Sequence, residues 1–382
     1  MQLLFAHIST CVLVPLYRLF RLQRRRHKVV IFSRQSSVPS RDISMLADEL
    51  RRQDPSLELV VRCREVGSGL RGQIAYAREM VVQTFHLSSA SVCVIDGYIA
   101  PVSVLRHPPA LTVIQMWHAL GAVKQFGLQA VGKPGGRPAS LARAMRMHRN
   151  YDYVLYGGPA SVQAFAQAFG VRPEQVVCTG LPRVDAARRI AARDVSEESH
   201  RIAELRAASG DLLGAERTKV LYAPTFRRNA PTDFAPVITA FAGSGLTLII
   251  KPHDLERGVD TAPHVVDATG CDILELIALA DIVVTDYSAV AFEAAAVGRP
   301  VYFYLYDVER YERDLGLNMD PRAVMPDVTA TEIGTIVESI RTVPYPVDAL
   351  AAFAEDYVTV PPSGCTAAIA GLVLRTEKEL GQ

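Results

Sequence analysis

The segment Asp281-Ile-Val-Val284-Thr285-Asp286-Tyr287-Ser288 is a short apolar run that stops on polar residues and opens into helix-compatible sequence from Ala289 to Val297. A continuous apolar run this short, without alternation, reads as a strand of a parallel sheet covered on both faces. The pattern repeats around it. Val220-Leu-Tyr222 stops at Ala223-Pro224-Thr225, and Leu246-Thr-Leu-Ile-Ile250 at Lys251-Pro252-His253. Val301-Tyr-Phe-Tyr304 closes the set. Upstream, Val29–Phe32 leads into the Ser-rich loop Ser33–Ser40, and Leu57–Val61 forms the next run. Ser91–Ile95 stops at Asp96-Gly97, Leu111–Gln115 at Trp117-His118, and Tyr153–Tyr156 at Gly157-Gly158. Helical spacing lies between them at 42–52, 73–85 and 160–169. Strands alternating with helices predict two consecutive doubly wound α/β domains facing a cleft. The polar stretch Arg193 to Thr218 is expected to join them. The expected division is a basic, apolar helix over 1–28, Rossmann-like domains over 29–205 and 206–360, and a C-terminal helix over 361–382.

Composition agrees. At about 150 residues per domain, 382 residues predict two domains. Hydrophobic residues make up 49% and charged residues 21%, with 41 Lys+Arg against 40 Asp+Glu. That balance argues against a disordered chain or a nucleic-acid binder. Six dispersed cysteines show neither a C-x-x-C pair nor a Cys/His cluster, which excludes a zinc-site pattern and a secreted disulfide framework. No apolar run reaches the ~18 to 20 residues of a membrane span. Residues 3–14 are mostly apolar, with Tyr17 and Phe20 beyond them, and Arg24-Arg25-Arg26-His27-Lys28 follow. This order reverses that of a secretory signal. It suits a helix lying in a membrane interface, or one packed on the protein's own surface.

In doubly wound sheets, ligands bind outside the carboxyl ends of strands, so the polar residues there are the candidates. His118 suits acid–base work, because its pKa lies near neutrality, or a capping role. Gly121 and Gly127 give the following loop freedom. Arg227, after Tyr222-Ala-Pro-Thr-Phe226, suits bidentate phosphate contact or a solvated loop. Lys251 and His253 end the most apolar strand of the second half, with Asp254 and Glu256 as ordinary ion-pair partners. Ser288 is a natural N-cap, and the helix start behind it suits a phosphate. Glu293 suits ribose hydroxyls or a plain helix surface. No Walker A motif and no G-x-G-x-x-G after the first strand appear, which disfavours a P-loop kinase and a dinucleotide oxidoreductase.

These residues, in this order, resemble the CDP-glycerol glycerophosphotransferase family, teichoic-acid-type polyol-phosphate transferases of GT-B fold. The matching stretches are Trp117-His118-Ala-Leu-Gly-Ala-Val-Lys124-Gln-Phe-Gly127, Gly180-Leu-Pro182-Arg183-Val-Asp185, Leu221-Tyr-Ala-Pro-Thr-Phe-Arg227, Lys251-Pro-His253 and Asp281–Ser288. Gly298-Arg-Pro300 through Tyr304, Asp307 with Tyr311, and Ile31–Asp42 extend the resemblance over about residues 29–315. The resemblance implies transfer of a polyol phosphate, glycerol phosphate first, from a CDP-activated donor to a hydroxyl of a lipid-linked glycan or polyol-phosphate acceptor, releasing CMP. It makes His118 the catalytic base and sets Arg227, His253 and Ser288 on the pyrophosphate. Thr225, Lys251, Asp286 and Glu293 line the donor, and Trp117, Gly121 and Lys124 the acceptor side. Ala119-Leu120, Ala289 and Glu293 depart from the common family pattern, which bears on donor and acceptor choice. No motif requires a cofactor or a divalent metal. The rivals are a nucleotide-sugar glycosyltransferase of the same fold and a non-catalytic module that binds anionic polymer or lipid.

Charge is unevenly distributed. Residues 1–41 carry eight Lys/Arg and residues 97–151 carry seven, neither with an acid. Basic charge therefore concentrates in the N-terminal arm and around His118, where an anionic lipid surface and a phosphate-bearing acceptor would be met. The implied location is peripheral, on the cytoplasmic face of the plasma membrane.

Overall fold

The computed structural model describes residues 2–67, 69–194, 197–227, 232–252, 259–260 and 262–381. The chain forms two compact units: Met1–Leu120, Gln125–Arg183 and Thr359–Gln382 make the first, and Gly121–Lys124 with Val184–Val358 the second.

The first unit carries a six-stranded, all-parallel sheet of β1 (Lys28–Ser33), β2 (Glu58–Cys63), β3 (Val92–Ile95), β4 (Thr112–Gln115), β5 (Tyr153–Tyr156) and β6 (Val176–Cys178), in the order β2-β1-β3-β4-β5-β6. Val29, Val30, Ile31 and Phe32 are wholly buried, as a strand covered on both faces requires. Each such side chain contributes about 1.5–3 kcal/mol of burial. The second unit repeats the architecture with β7 (Lys219–Tyr222), β8 (Thr247–Ile250), β9 (Val265–Asp267), β10 (Ile282–Thr285), β11 (Val301–Tyr304) and β12 (Thr329–Ala330), in the order β12-β11-β10-β7-β8-β9. The strand order turns back between β1 and β3 in one sheet and between β7 and β10 in the other. Ligands of open α/β sheets bind at these reversals, because the flanking loops there diverge to opposite faces.

Three differences from the sequence expectation have physical causes. The stretch after Arg193 belongs to the second unit rather than to a linker. Arg193 Nη2 lies 2.9 Å from Glu275 Oε1, the Ser199 hydroxyl donates to the same carboxylate, and Ile202 is buried. The C-terminal helix Cys365–Gly381 is an integral layer of the first unit, with Cys365, Ile369, Ala370 and Val373 fully buried. Its approach needs Gly180, at φ +65°, where a Cβ would meet Cys365 Sγ at 2.5 Å. Finally, α1 (Gln2–Phe20) packs against the first unit through Leu13 and Tyr17, and the Tyr17 hydroxyl lies 3.0 Å from His107 Nδ1. Val12 and Leu19 of the same helix, and Leu22 just beyond it, are exposed. Among the described residues, no helix is long and apolar enough to cross a membrane.

Candidate functional site

Each strand reversal carries its own polar cluster. In the first unit, β4 ends on Gln115, and the chain turns at Trp117, whose φ is +61°. A bulky side chain in the left-handed region costs on the order of 1–3 kcal/mol and persists only when its surroundings hold it. Here the buried Gln115 does so. Its Oε1 accepts from Trp117 N–H at 2.9 Å, while its Nε2 donates to the Gly97 carbonyl at 3.1 Å. The indole stacks on Phe126 at 5.1 Å and meets Phe169 edge-on. This turn delivers His118, half-buried, with Nδ1 2.8 Å from the Asp96 carbonyl at the end of β3. The Gln35 side chain, from the loop after β1, reaches the same nitrogen at 3.1 Å. Asp96 is buried, and burial pushes its carboxyl up to about 6. Ser33 donates to its Oδ2 at 2.8 Å. A second pair fixes the neighbouring helices: Arg183 donates to Asp42 through its backbone N–H at 2.7 Å and through Nε at 2.8 Å.

Gly121 and Lys124 group with the second unit. A Cβ on Gly121 would sit 2.5 Å from the Phe292 ring, so this glycine is set by close packing rather than by pliability. Gly127 does use its freedom: φ is +57°, with the Ala168 carbonyl against its α-carbon. The Lys124 carbonyl accepts from Asn318 Nδ2 at 3.1 Å.

In the second unit, Thr225 and Asp286 leave β7 and β10 side by side. Asp286, fully buried, accepts Thr225 N–H at 2.8 Å and Tyr287 N–H at 2.6 Å on Oδ1, and Arg227 Nη2 at 2.9 Å on Oδ2. Arg227 is buried too. Its Nε donates to Asp307 at 3.1 Å and its Nη1 to the Thr225 carbonyl at 2.7 Å. The guanidinium also lies over the rings of Tyr311 and Tyr287, which stack at 3.8 Å. Burial alone would lower its pKa; Asp286 and Asp307 outweigh that and hold it well above the ordinary value. Each of its three nitrogens bonds a protein oxygen, and two carboxylates bracket the guanidinium. The Thr225 hydroxyl is buried and, among the described residues, has no hydrogen-bond partner.

Ser288 accepts Val290 N–H at 3.4 Å at the start of the helix Val290–Ala295. Glu293 is buried in that helix. Lys251 follows β8, and its Nζ donates to the Pro252 carbonyl at 3.0 Å. His253 lies outside the described residues. Among the described residues, no group of three His, Cys, Asp or Glu could hold a metal ion. Gln35, Asp96, Gln115 and Asp307 were not singled out from sequence as site residues. Their signal was position, from the last residue of a strand to three residues beyond one, but which strands adjoin is a tertiary fact.

Two doubly wound α/β units, each with a polar cluster at its strand reversal, give the chain a GT-B-like fold. The chain belongs to the CDP-glycerol:poly(glycerophosphate) glycerophosphotransferase family, whose model matches residues 16–360. It is 30% identical over 348 residues to the teichoic acid ribitol-phosphate primase of Bacillus spizizenii, covering 87% of each chain. It is 25% identical to the teichoic acid poly(ribitol-phosphate) polymerase of the same species, over 86% of this chain and 53% of the polymerase. Among solved structures, the wall teichoic acid polymerase TagF superposes with a TM-score of 0.69 at 21% identity, over 95% of this chain and 93% of that one.

Proposed function

We propose that this chain transfers a polyol phosphate from CDP-glycerol or CDP-ribitol to a hydroxyl of a lipid-linked or polymeric acceptor, releasing CMP. The observation that carries the reading is His118, held by a strained turn at the strand reversal of the first sheet. With Nδ1–H given to the Asp96 carbonyl, Nε2 is the basic nitrogen that takes the acceptor proton. The acceptor oxygen attacks the β-phosphorus, the bond to the bridging oxygen breaks, and CMP leaves with the electron pair. Lys251, Ser288, His253 and the Thr225 hydroxyl hold the pyrophosphate, and Asp286 and Glu293 shape the nucleotide side. Arg227 acts by fixing Asp286 and Asp307. Trp117, Gly121 and Lys124 form the acceptor side. The test is to incubate the protein with CDP-glycerol, CDP-ribitol and nucleotide sugars plus lipid-linked acceptor, and to identify the nucleotide set free. CMP supports the reading. UDP or CDP would give the glycosyltransferase, and silence across the panel a binding module.

The same reading places the chain peripherally on the cytoplasmic face of the plasma membrane. Val12 and Leu19 of α1, with Leu22 just beyond it, are exposed beside Arg18, Arg21 and Arg24, and Leu70, Ile74 and Phe85 of the adjoining α3 (Gly69–Ser89) are exposed beside Arg71 and Arg78. Apolar side chains among arginines suit an anionic bilayer surface. Flotation with phosphatidylglycerol vesicles tests it: the L19E/L22E variant is expected to remain in the soluble fraction, and unchanged flotation would refute the docking surface.

A further inference from the structure

The first unit holds a hydrogen-bonded chain of which the reading above uses only the last link, His118 to the Asp96 carbonyl. It runs from the Ser-rich loop after β1 to the Asp96-Gly97 turn after β3 and ends on His118. Nδ1 of His118 lies 2.8 Å from the Asp96 carbonyl oxygen. A carbonyl can only accept, so Nδ1 carries the proton. Gln35 Nε2 lies 3.1 Å from the same nitrogen. An NH2 group there opposes the ring N–H, whereas the amide oxygen accepts it; turning the amide by half a revolution about its last bond exchanges the two atoms with little change in shape. Gln35 is itself anchored. Its backbone N–H donates to Ser33 Oγ at 3.1 Å, and Ser33 Oγ donates to Asp96 Oδ2 at 2.8 Å. Position 97 must be glycine for this: a Cβ there would lie 2.9 Å from the Gln35 amide.

We infer that Gln35 is a positioning residue for His118, its side-chain oxygen sharing the Nδ1 proton with the Asp96 carbonyl and so fixing the tautomer with a basic Nε2. The inference rests on His118 being the base. It assigns a role to a loop residue that is exposed and needed by no part of the core. The charged and titratable groups around this network are Asp96 just after β3, Cys63 on β2, Asp42 on α2 (Arg41–Gln53) and Arg183 on the helix Pro182–Ala191.

The test uses the full chain with 15N-labelled histidine, and His118→Gln to assign the ring signals. In the parent protein the His118 signals are expected to show protonated Nδ1 and bare Nε2. Gln35→Glu sets a carboxylate on the ring N–H and is expected to raise the His118 pKa by about one unit or more. The acid limb of kcat/KM then moves to higher pH by the same amount. Gln35→Met removes the acceptor, mixes the tautomers, and is expected to lower kcat about tenfold with the donor KM unmoved. Unchanged ring titration in Gln35→Glu, with thermal melting intact, would overturn the inference. If His118→Ala abolishes turnover while Gln35→Met leaves kcat within twofold, the inference also fails and the parent reading stands. If His118→Ala keeps turnover, the parent reading fails and the inference with it.

Discussion

Arg227→Met removes the buried positive charge that bridges Asp286 and Asp307 while keeping most of the side-chain volume; the exposed Arg310, 3.9 Å from Asp307, stays in place. The Arg227 side chain is 8% exposed, Asp286 0% and Asp307 9%, so the substitution strands two buried carboxylates. Asp286 keeps its two backbone donors, and Asp307 keeps the Tyr287 hydroxyl at 3.2 Å. Removing one partner of a buried ion pair costs about 3–5 kcal/mol. Over a unit of this size each kcal/mol lowers Tm by about 2–4 °C, giving a drop of about 6–20 °C in the transition of the second unit. Calorimetry reads that shift. Hydrogen exchange reads it locally: protection of the Thr225 and Tyr287 amides is expected to fall by about a hundredfold or more, since 1.4 kcal/mol is a factor of ten. Adding Asp307→Asn removes a stranded charge, so the double variant is expected to lose less than the sum of the singles. Arg227→Lys keeps the charge but one ammonium cannot fork across two carboxylates and a carbonyl, and it falls between parent and Met. A loss below about 1 kcal/mol in Arg227→Met, with both amides unmoved, would refute the organising role and return the guanidinium to the donor phosphates.

His118→Ala is expected to lower CMP release by about 10²–10⁴-fold while donor binding, read by calorimetry, persists; near-normal turnover removes His118 from the mechanism. Gly121→Ala drives a methyl into the Phe292 ring and is expected to destabilise the second unit by about 1–3 kcal/mol, read by denaturant unfolding. His27 bonds to Glu377 and also to Asp54, and the Glu377 bond chiefly raises its pKa above the ordinary value. That stabilisation is full below about pH 6.5 and fades as pH rises through the raised value. His27→Ala is therefore expected to destabilise the protein more at pH 6 than at pH 8, and an equal loss at both would contradict the linkage.

The long central strands and the strand-end residues were legible because apolar runs covered on both faces leave a plain signature. Val29–Phe32, Tyr153–Tyr156 and Val301–Tyr304 match their strands to within a residue. Three of the four sheet edges were not legible: β6, β9 and β12 are two or three residues long, too short to stand out as apolar runs, whereas the six-residue edge strand β2 did. The start of the helix behind β10 also shifts, from Ala289 to Val290, with Ser288 still accepting an N–H.

By itself, the sequence determined the α/β class, the two-sheet architecture and the position of His118, Thr225, Arg227, Lys251 and Asp286 beyond strands, because periodicity and chain order are local properties. Strand order, and with it the meeting of Gln35, Asp96 and His118, came only from the tertiary structure. So did the fate of Arg227. An arginine after a strand reads as a phosphate ligand until two carboxylates, one 59 and one 80 residues further along the chain, are folded against it and take its hydrogen bonds.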